Sequence, residues 1–159
     1  MIRKLLLLSL LGAASLAHAE DLHSLLVKHY NELNAAIQKR DQAAAEKWIK
    51  ANLAPGFLCT SKDKLKYDAK GFLQGLKDQM KLTRKVEFSK LVVGKPSIKG
   101  NRLSLNTHND FKGIVLFDNQ ELTLTDVSET LDTWIKLGST WKLKSIVQTK
   151  AKTQLFQKH

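Results

Sequence analysis

The chain has a single cysteine, Cys59, among 159 residues. No intramolecular disulfide can form, and a buried, inert thiol is the plain reading of that position. The metal-binding HExxH pattern and Cys/His clusters are absent, as are a glycine-rich phosphate loop, GxSxG and a Cys-His nucleophile motif. No cofactor or metal is therefore expected. The two prolines and eight glycines never gather into a linker, and there are no internal repeats or low-complexity tracts. One domain is the natural reading at this length. Beyond the first residues no apolar run approaches the roughly 20 residues a transmembrane helix needs.

What is present begins at the amino terminus. Arg3 and Lys4 precede the apolar run Leu5 to Leu16, which ends in Ala17-His18-Ala19. That order of basic, apolar and small residues is the pattern of an export signal cleaved before Glu20, so residues 1–19 are set aside and the domain is placed at 20–159. No cysteine follows the cleavage site, so lipid anchoring is not indicated, and a periplasmic or extracellular location is expected. Without Arg3 and Lys4 the remaining chain carries 24 basic against 15 acidic side chains.

From Asp21 the apolar residues Leu22, Leu25, Leu26, Tyr30, Leu33 and Ile37 recur at helical spacing and predict an amphipathic helix to about Arg40. Asp41 suits the N-cap of a second helix with Ala45, Trp48, Ile49 and Leu53 inward, which Pro55-Gly56 stops. Asp68 suits the cap of a third, with Phe72, Leu73, Leu76 and Met80 as its stripe. Phe57 to Thr60 reads as a short strand between them. After Lys85 the period changes to alternation, giving strands at 86–93 and 101–117, the second ending at the turn Asp118-Asn119.

The longest strand pattern runs from Glu121 to Thr149 and is interrupted only by Gly138-Ser139, the signature of a hairpin with a two-residue turn. Each arm far exceeds the usual strand of about 5–6 residues, so the arms should curve. With Leu137 opposite Thr140, one face carries Asp132, Trp134, Trp141, Leu143, Ser145 and Val147. The other carries Leu131, Thr133, Ile135, Lys142, Lys144, Ile146 and Gln148. A one-residue slip would exchange these faces on one arm. Helices first and antiparallel strands after predict an α+β domain, three N-terminal helices packed on a strongly curved antiparallel sheet.

Residues 29–41, the second helix with Pro55-Gly56-Phe57, the start of the third helix at 68–72, and the segment Asp132 to Leu143 together resemble the nuclear-transport-factor-2-like superfamily, including its SnoaL-like and exported branches. The resemblance implies a cone-shaped, cystatin-like roll with an apolar pocket between helices and sheet, used as an isomerase, cyclase or dehydratase site or as a binding cavity. It also implies dimerisation through the outer sheet face in many members. Compared with ketosteroid isomerase, Tyr30 and Asp132 occupy the places of the oxyanion-hole tyrosine and protonated aspartate. The place of the carboxylate base falls near Thr60-Ser61, so proton abstraction of that kind is poorly supported.

The candidate residues follow from both lines. Tyr30 is either a core tyrosine with a partnered hydroxyl or a pocket donor. Asp132, between Leu131 and Trp134, is costly to bury unless paired or protonated. With Ser145 these two would form a polar floor, and Trp48, Phe57, Phe72 and Trp134 would be core residues or pocket walls. His108 and Asp110 share a face of one strand and form a weaker catalytic candidate pair, with Asp132 the other candidate. Lys142, Lys144, Lys150 and Lys152 make a basic stripe, either a solvated edge or a patch for an anionic surface. No aromatic residue interleaves with these lysines before Phe156, so nucleic acid is not the expected partner. The leading expectation is binding of a small, largely apolar molecule. A lyase or isomerase acting in the same pocket and a surface interaction module stand behind it.

Overall fold

Two aspartates start the second and third helices as expected. In the computed structural model, which describes the backbone of residues 5–157 and the side chains of residues 21–157, the Asp41 carboxylate accepts from the Ala44 amide at 2.9 Å. It opens α2 (Gln42–Asn52). The Asp68 carboxylate accepts from the Gly71 amide at 2.8 Å and opens α3 (Ala69–Leu82). Each contact satisfies a backbone N–H that the first helical turn leaves without a partner.

Before them, α1 spans Leu5–Lys39. It begins upstream of the start at Asp21 that the apolar stripe marks, because the leucine- and alanine-rich run ahead of it contains no proline and favours helix strongly enough to carry Gly12. The expected leader has its side chains outside the described residues. The helix ends at Arg40, which takes a left-handed φ of 56°. The Arg40 amide donates to Ile37 O and the Asp41 amide to Ala36 O, the paired bonds of a Schellman end. The Arg40 guanidinium reaches on to the Thr83 carbonyl at 3.0 Å and ties this corner to the sheet.

Seven strands follow: β1 (Leu53–Thr60), β2 (Lys66–Tyr67), β3 (Thr83–Val93), β4 (Ser97–Lys99), β5 (Arg102–Phe117), β6 (Gln120–Leu137) and β7 (Thr140–Gln157). They form one curled sheet in the order β2-β1-β7-β6-β5-β3, with β4 added beside β5. The pairings are antiparallel except at β1 and β7, which run parallel, so the sheet is mixed at this one seam. β7 is consequently an interior strand, flanked by β1 and β6.

The two-residue turn at Gly138-Ser139 is present, with Leu137 opposite Thr140 and Gly138 at φ 60°. Glycine at the first turn position meets that conformation without strain. Farther along, the register shifts twice. Trp134 faces Leu143 but Thr133 faces Ser145, leaving Lys144 as an extra residue. Thr130 faces Gln148 but Glu129 faces Lys150, leaving Thr149 as another. Bulges of this kind add bend and twist and reverse the alternation beyond them. The expected pairing of Asp132 with Ser145 is therefore replaced by Asp132 with Ile146.

The main core joins Leu26 and Tyr30 of α1, Trp48 and Ile49 of α2 and Phe57 of β1 to Leu103, Leu105, Trp134 and Leu143 of the sheet. A second cluster, Ala36, Ala45 and Met80, is the point where the three helices meet, and its alanines let the backbones approach. The expected α+β architecture, three helices on a strongly curved sheet, is the one observed.

Two glycines give opposite expectations. A Cβ on Gly113 would lie 2.7 Å from the Lys85 carbonyl oxygen and 2.9 Å from Phe111 Cζ, whereas one on Gly75 in α3 meets nothing within 4 Å. Gly113→Ala is expected to lower unfolding free energy by about 1–3 kcal/mol, and Gly75→Ala to raise it by up to about 1 kcal/mol. Urea denaturation of the two variants checks both signs.

Candidate functional site

Tyr30 lies on the buried stripe of α1, and its side chain is almost fully enclosed. On β6 the alternation turns Ser128, Thr130, Asp132 and Trp134 toward the helices, and Asp132 is only 1% exposed. The Tyr30 hydroxyl donates to Asp132 Oδ2. Trp134 Nε1 donates to the Tyr30 hydroxyl at 3.0 Å. On the other side, the Thr130 hydroxyl donates to Asp132 Oδ1 at 2.6 Å, and the Thr107 hydroxyl of β5 lies 2.7 Å from that of Thr130. A continuous polar chain thus crosses the interior from α1 through β6 to β5. Trp134 also meets the Tyr30 ring edge-on, with centroids 5.7 Å apart.

Burial dominates the electrostatics. It pushes the Asp132 carboxyl up to about 6, against the lowering effect of hydrogen bonds from Thr130 and Tyr30. Burial, and then the nearby Asp132 carboxylate, raises the Tyr30 phenol well above its ordinary value. The Cys59 thiol is pushed up to about 11, first by burial and then by Asp132. Cys59 therefore remains a thiol at neutral pH, as its inert reading requires.

These residues line a cavity of about 300 Å³. Leu33 and Ile37 of α1, Phe72 and Leu76 of α3, Leu91, Phe111 and Ile146 supply apolar wall. Asn34, Gln79, Asn109 and Gln148 add amides. Among the described residues, no three His, Cys, Asp or Glu side chains converge as metal ligands. No described helix is long and apolar enough to cross a membrane.

The structure brings Tyr30, Asp132 and Phe72 together at the cavity. Trp48, Phe57 and Trp134 belong to the packed core beside it. Phe57 still touches the lining through the Phe72 ring at 5.4 Å, and the Trp48 indole N–H donates to the His29 carbonyl at 2.7 Å. Ser145 does not reach the cavity: the Lys144 bulge turns it outward, and Ile146 and Gln148 take the expected places of Ser145 and Val147. His108 and Asp110 are also outside, since Thr107, Asn109 and Phe111 occupy the inner face of β5. His108 instead approaches Glu129, at 3.8 Å.

The basic stripe is largely engaged with the protein itself. Lys142 Nζ donates to the Ala51 carbonyl. Lys144 Nζ donates to the Pro55 and Gly56 carbonyls at 2.7 and 3.0 Å, and Lys150 pairs with Glu129 at 2.9 Å. The Lys142 and Lys144 contacts tie the end of α2 and the start of β1 to β7, and the Lys150 pair joins β7 to β6. Thr130 and Thr107, absent from the expected site, are central to it. Thr130 was accessible to sequence reasoning, because it lies two residues from Asp132 on one face of a strand.

No family model matches the sequence, and no curated protein matches it. Solved structures do match. A conserved protein from Planctomyces limnophilus DSM 3776 superposes with a TM-score of 0.68 at 12% identity, covering 86% of this chain and 99% of that one. An NTF2-like protein from Cytophaga hutchinsonii gives 0.56 at 13%, covering 79% and 95%. A type 2 hexachlorocyclohexane dehydrochlorinase, LinA, gives 0.61 at 11%, covering 84% and 93%. The fold is that of the nuclear-transport-factor-2-like superfamily.

Removing the central hydroxyl should be costly. Tyr30→Phe leaves Trp134 Nε1 without its acceptor and Asp132 Oδ2 without its donor, with an expected loss of about 1–3 kcal/mol in chemical denaturation. A pH test addresses Asp132 itself. Its carboxyl moves from an ordinary 3.8 to about 6 on folding, so the folded protein holds this proton more tightly than the unfolded chain. The resulting stabilisation is present below pH about 4 and is lost as pH rises through about 6, a change of about 3 kcal/mol. Asp132→Asn lacks this component, so the stability difference, variant minus parent, should grow by about that amount from pH 4 to 7.

Proposed function

We propose that this protein binds a small, largely apolar molecule in the cavity between its helices and sheet. The observation that carries the reading is the cavity of about 300 Å³ with the buried Asp132 carboxylate among its walls. Concave, mostly apolar clefts with a few convergent polar groups are the usual form of small-molecule sites. The superfamily fold supports it, since that fold commonly houses ligand sites or isomerase and lyase sites.

Ligands released by denaturing the natively purified protein and identified by mass spectrometry test the reading directly. Ile146→Phe, which fills part of the lining, should weaken binding of a neutral apolar fluorescent probe at least tenfold while leaving the melting temperature within a few degrees. Equal probe affinity in parent and variant would remove the cavity as the site.

A lyase or isomerase reading stands second. It is favoured by the Asp132 carboxyl, which burial places at about 6, where it can exchange a proton near neutral pH. The outward position of His108 and Asp110 leaves Asp132 to carry it. Full retention by Asp132→Asn of any turnover found in a substrate screen would exclude that role. We propose in addition that residues 1–19 are an export leader, so that Edman sequencing of the exported protein starts at Glu20.

A further inference from the structure

We infer that the molecule the cavity takes is a cation, a small apolar amine whose ammonium group pairs with Asp132 while its hydrocarbon part lies against Phe72, Leu76 and Phe111. The inference deepens the ligand-binding reading above and rests on it.

The charges around the cavity carry the argument. Among the described lining residues only Tyr30, Cys59 and Asp132 can titrate at all. Facing Asp132, α1 contributes the Tyr30 phenol and β1 the Cys59 thiol, and both are held neutral by burial and by Asp132 itself. From α3 come Phe72, Leu76 and Gln79, from β3 Ser89 and Leu91, from β5 Thr107, Asn109 and Phe111, and from β7 Ile146 and Gln148. None of these ionises. No Lys, Arg or His lines the cavity, although the chain as a whole carries a formal charge of +11. The cavity wall is therefore locally anionic within a basic protein.

The hydroxyls of Tyr30 and Thr130 each give Asp132 one hydrogen bond. A carboxylate has about four acceptor positions, so lone pairs remain for an incoming donor. An ammonium group supplies donors and the opposite charge together, which for a carboxylate as buried as Asp132 is the strongest pairing available. The rings of Phe72 and Phe111 in the lining suit the hydrocarbon part of such a ligand. An anionic ligand would meet only repulsion from Asp132. The lysines outside the cavity are attenuated by solvent and salt over about 8–10 Å.

The test uses three probes with one skeleton, 2-naphthylmethylamine, 2-naphthylmethanol and 2-naphthoate, titrated calorimetrically into the purified protein at pH 6 and pH 8. The expected result at pH 8 is that the amine binds at least tenfold more tightly than the alcohol and that the carboxylate is not detected. Near pH 6, amine binding should release protons to the buffer as Asp132 ionises, and alcohol binding should release none. That readout needs no variant. In Asp132→Asn the ratio of amine to alcohol affinity should fall to near one. Comparable binding of all three probes, or of the carboxylate best, overturns the amine assignment and leaves the binding cavity standing. Binding of none of them overturns the cavity reading as well.

Discussion

Everything in the interior is arranged around one costly act, the enclosure of the Asp132 carboxyl group. An ionised carboxylate removed from water loses far more than one ordinary hydrogen bond restores. The protein meets that cost with two hydroxyl donors from different elements, Tyr30 on α1 and Thr130 on β6, and with a partial retreat toward the protonated form. Tyr30 can serve only if α1 lies at one depth and one rotation over the sheet. Trp134 secures that placement by donating to the same hydroxyl and packing against its ring. Helix position, sheet curvature and the protonation of one carboxyl are thus a single coupled arrangement.

Geometry then separates what is structural from what faces the cavity. Core and cavity share elements, yet they divide along α1 and β6 at Tyr30 and Asp132, which belong to both the hydrogen-bonded chain and the lining. Trp48, Phe57 and Trp134 give the rigid side of that boundary. The lysines of β7 work on the opposite face, where Lys142 and Lys144 hold carbonyls at the end of α2 and the start of β1. A stripe that reads as a solvated edge is in this way a clamp on the parallel seam of the sheet.

Much of this was legible in the residues. The helical stripe from Leu22 to Ile37 placed Tyr30 inward, Asp41 and Asp68 marked two helix starts, and Gly138-Ser139 set the hairpin turn in its observed register. The inward aspartate followed from the hairpin register, which puts it on one face with Trp134 and Leu143. The parallel pairing of β1 with β7 and the outward turn of Ser145 were not legible, and the reason is physical. A bulge is a local defect in a ladder and has no fixed side-chain signature, so strict alternation carried past Lys144 assigns the wrong face. The same limit hid Ile146 and Gln148, while His108 and Asp110 share a face that happens to be the outer one.

The two bulges on β7 also bear on how this cavity can change over generations of the gene. Lys144 and Thr149 are surplus residues bracketing a short segment that alone carries Ile146 and Gln148 into the interior. Loss of a single codon at the first bulge would leave Ser145 opposite Thr133 and Ile146 opposite Asp132, so the same side chains would still face the ligand space and only the extra bend of β7 would go. Deletion there would alter the curvature of the wall, whereas its chemistry would change only through the residues at 146 and 148 themselves.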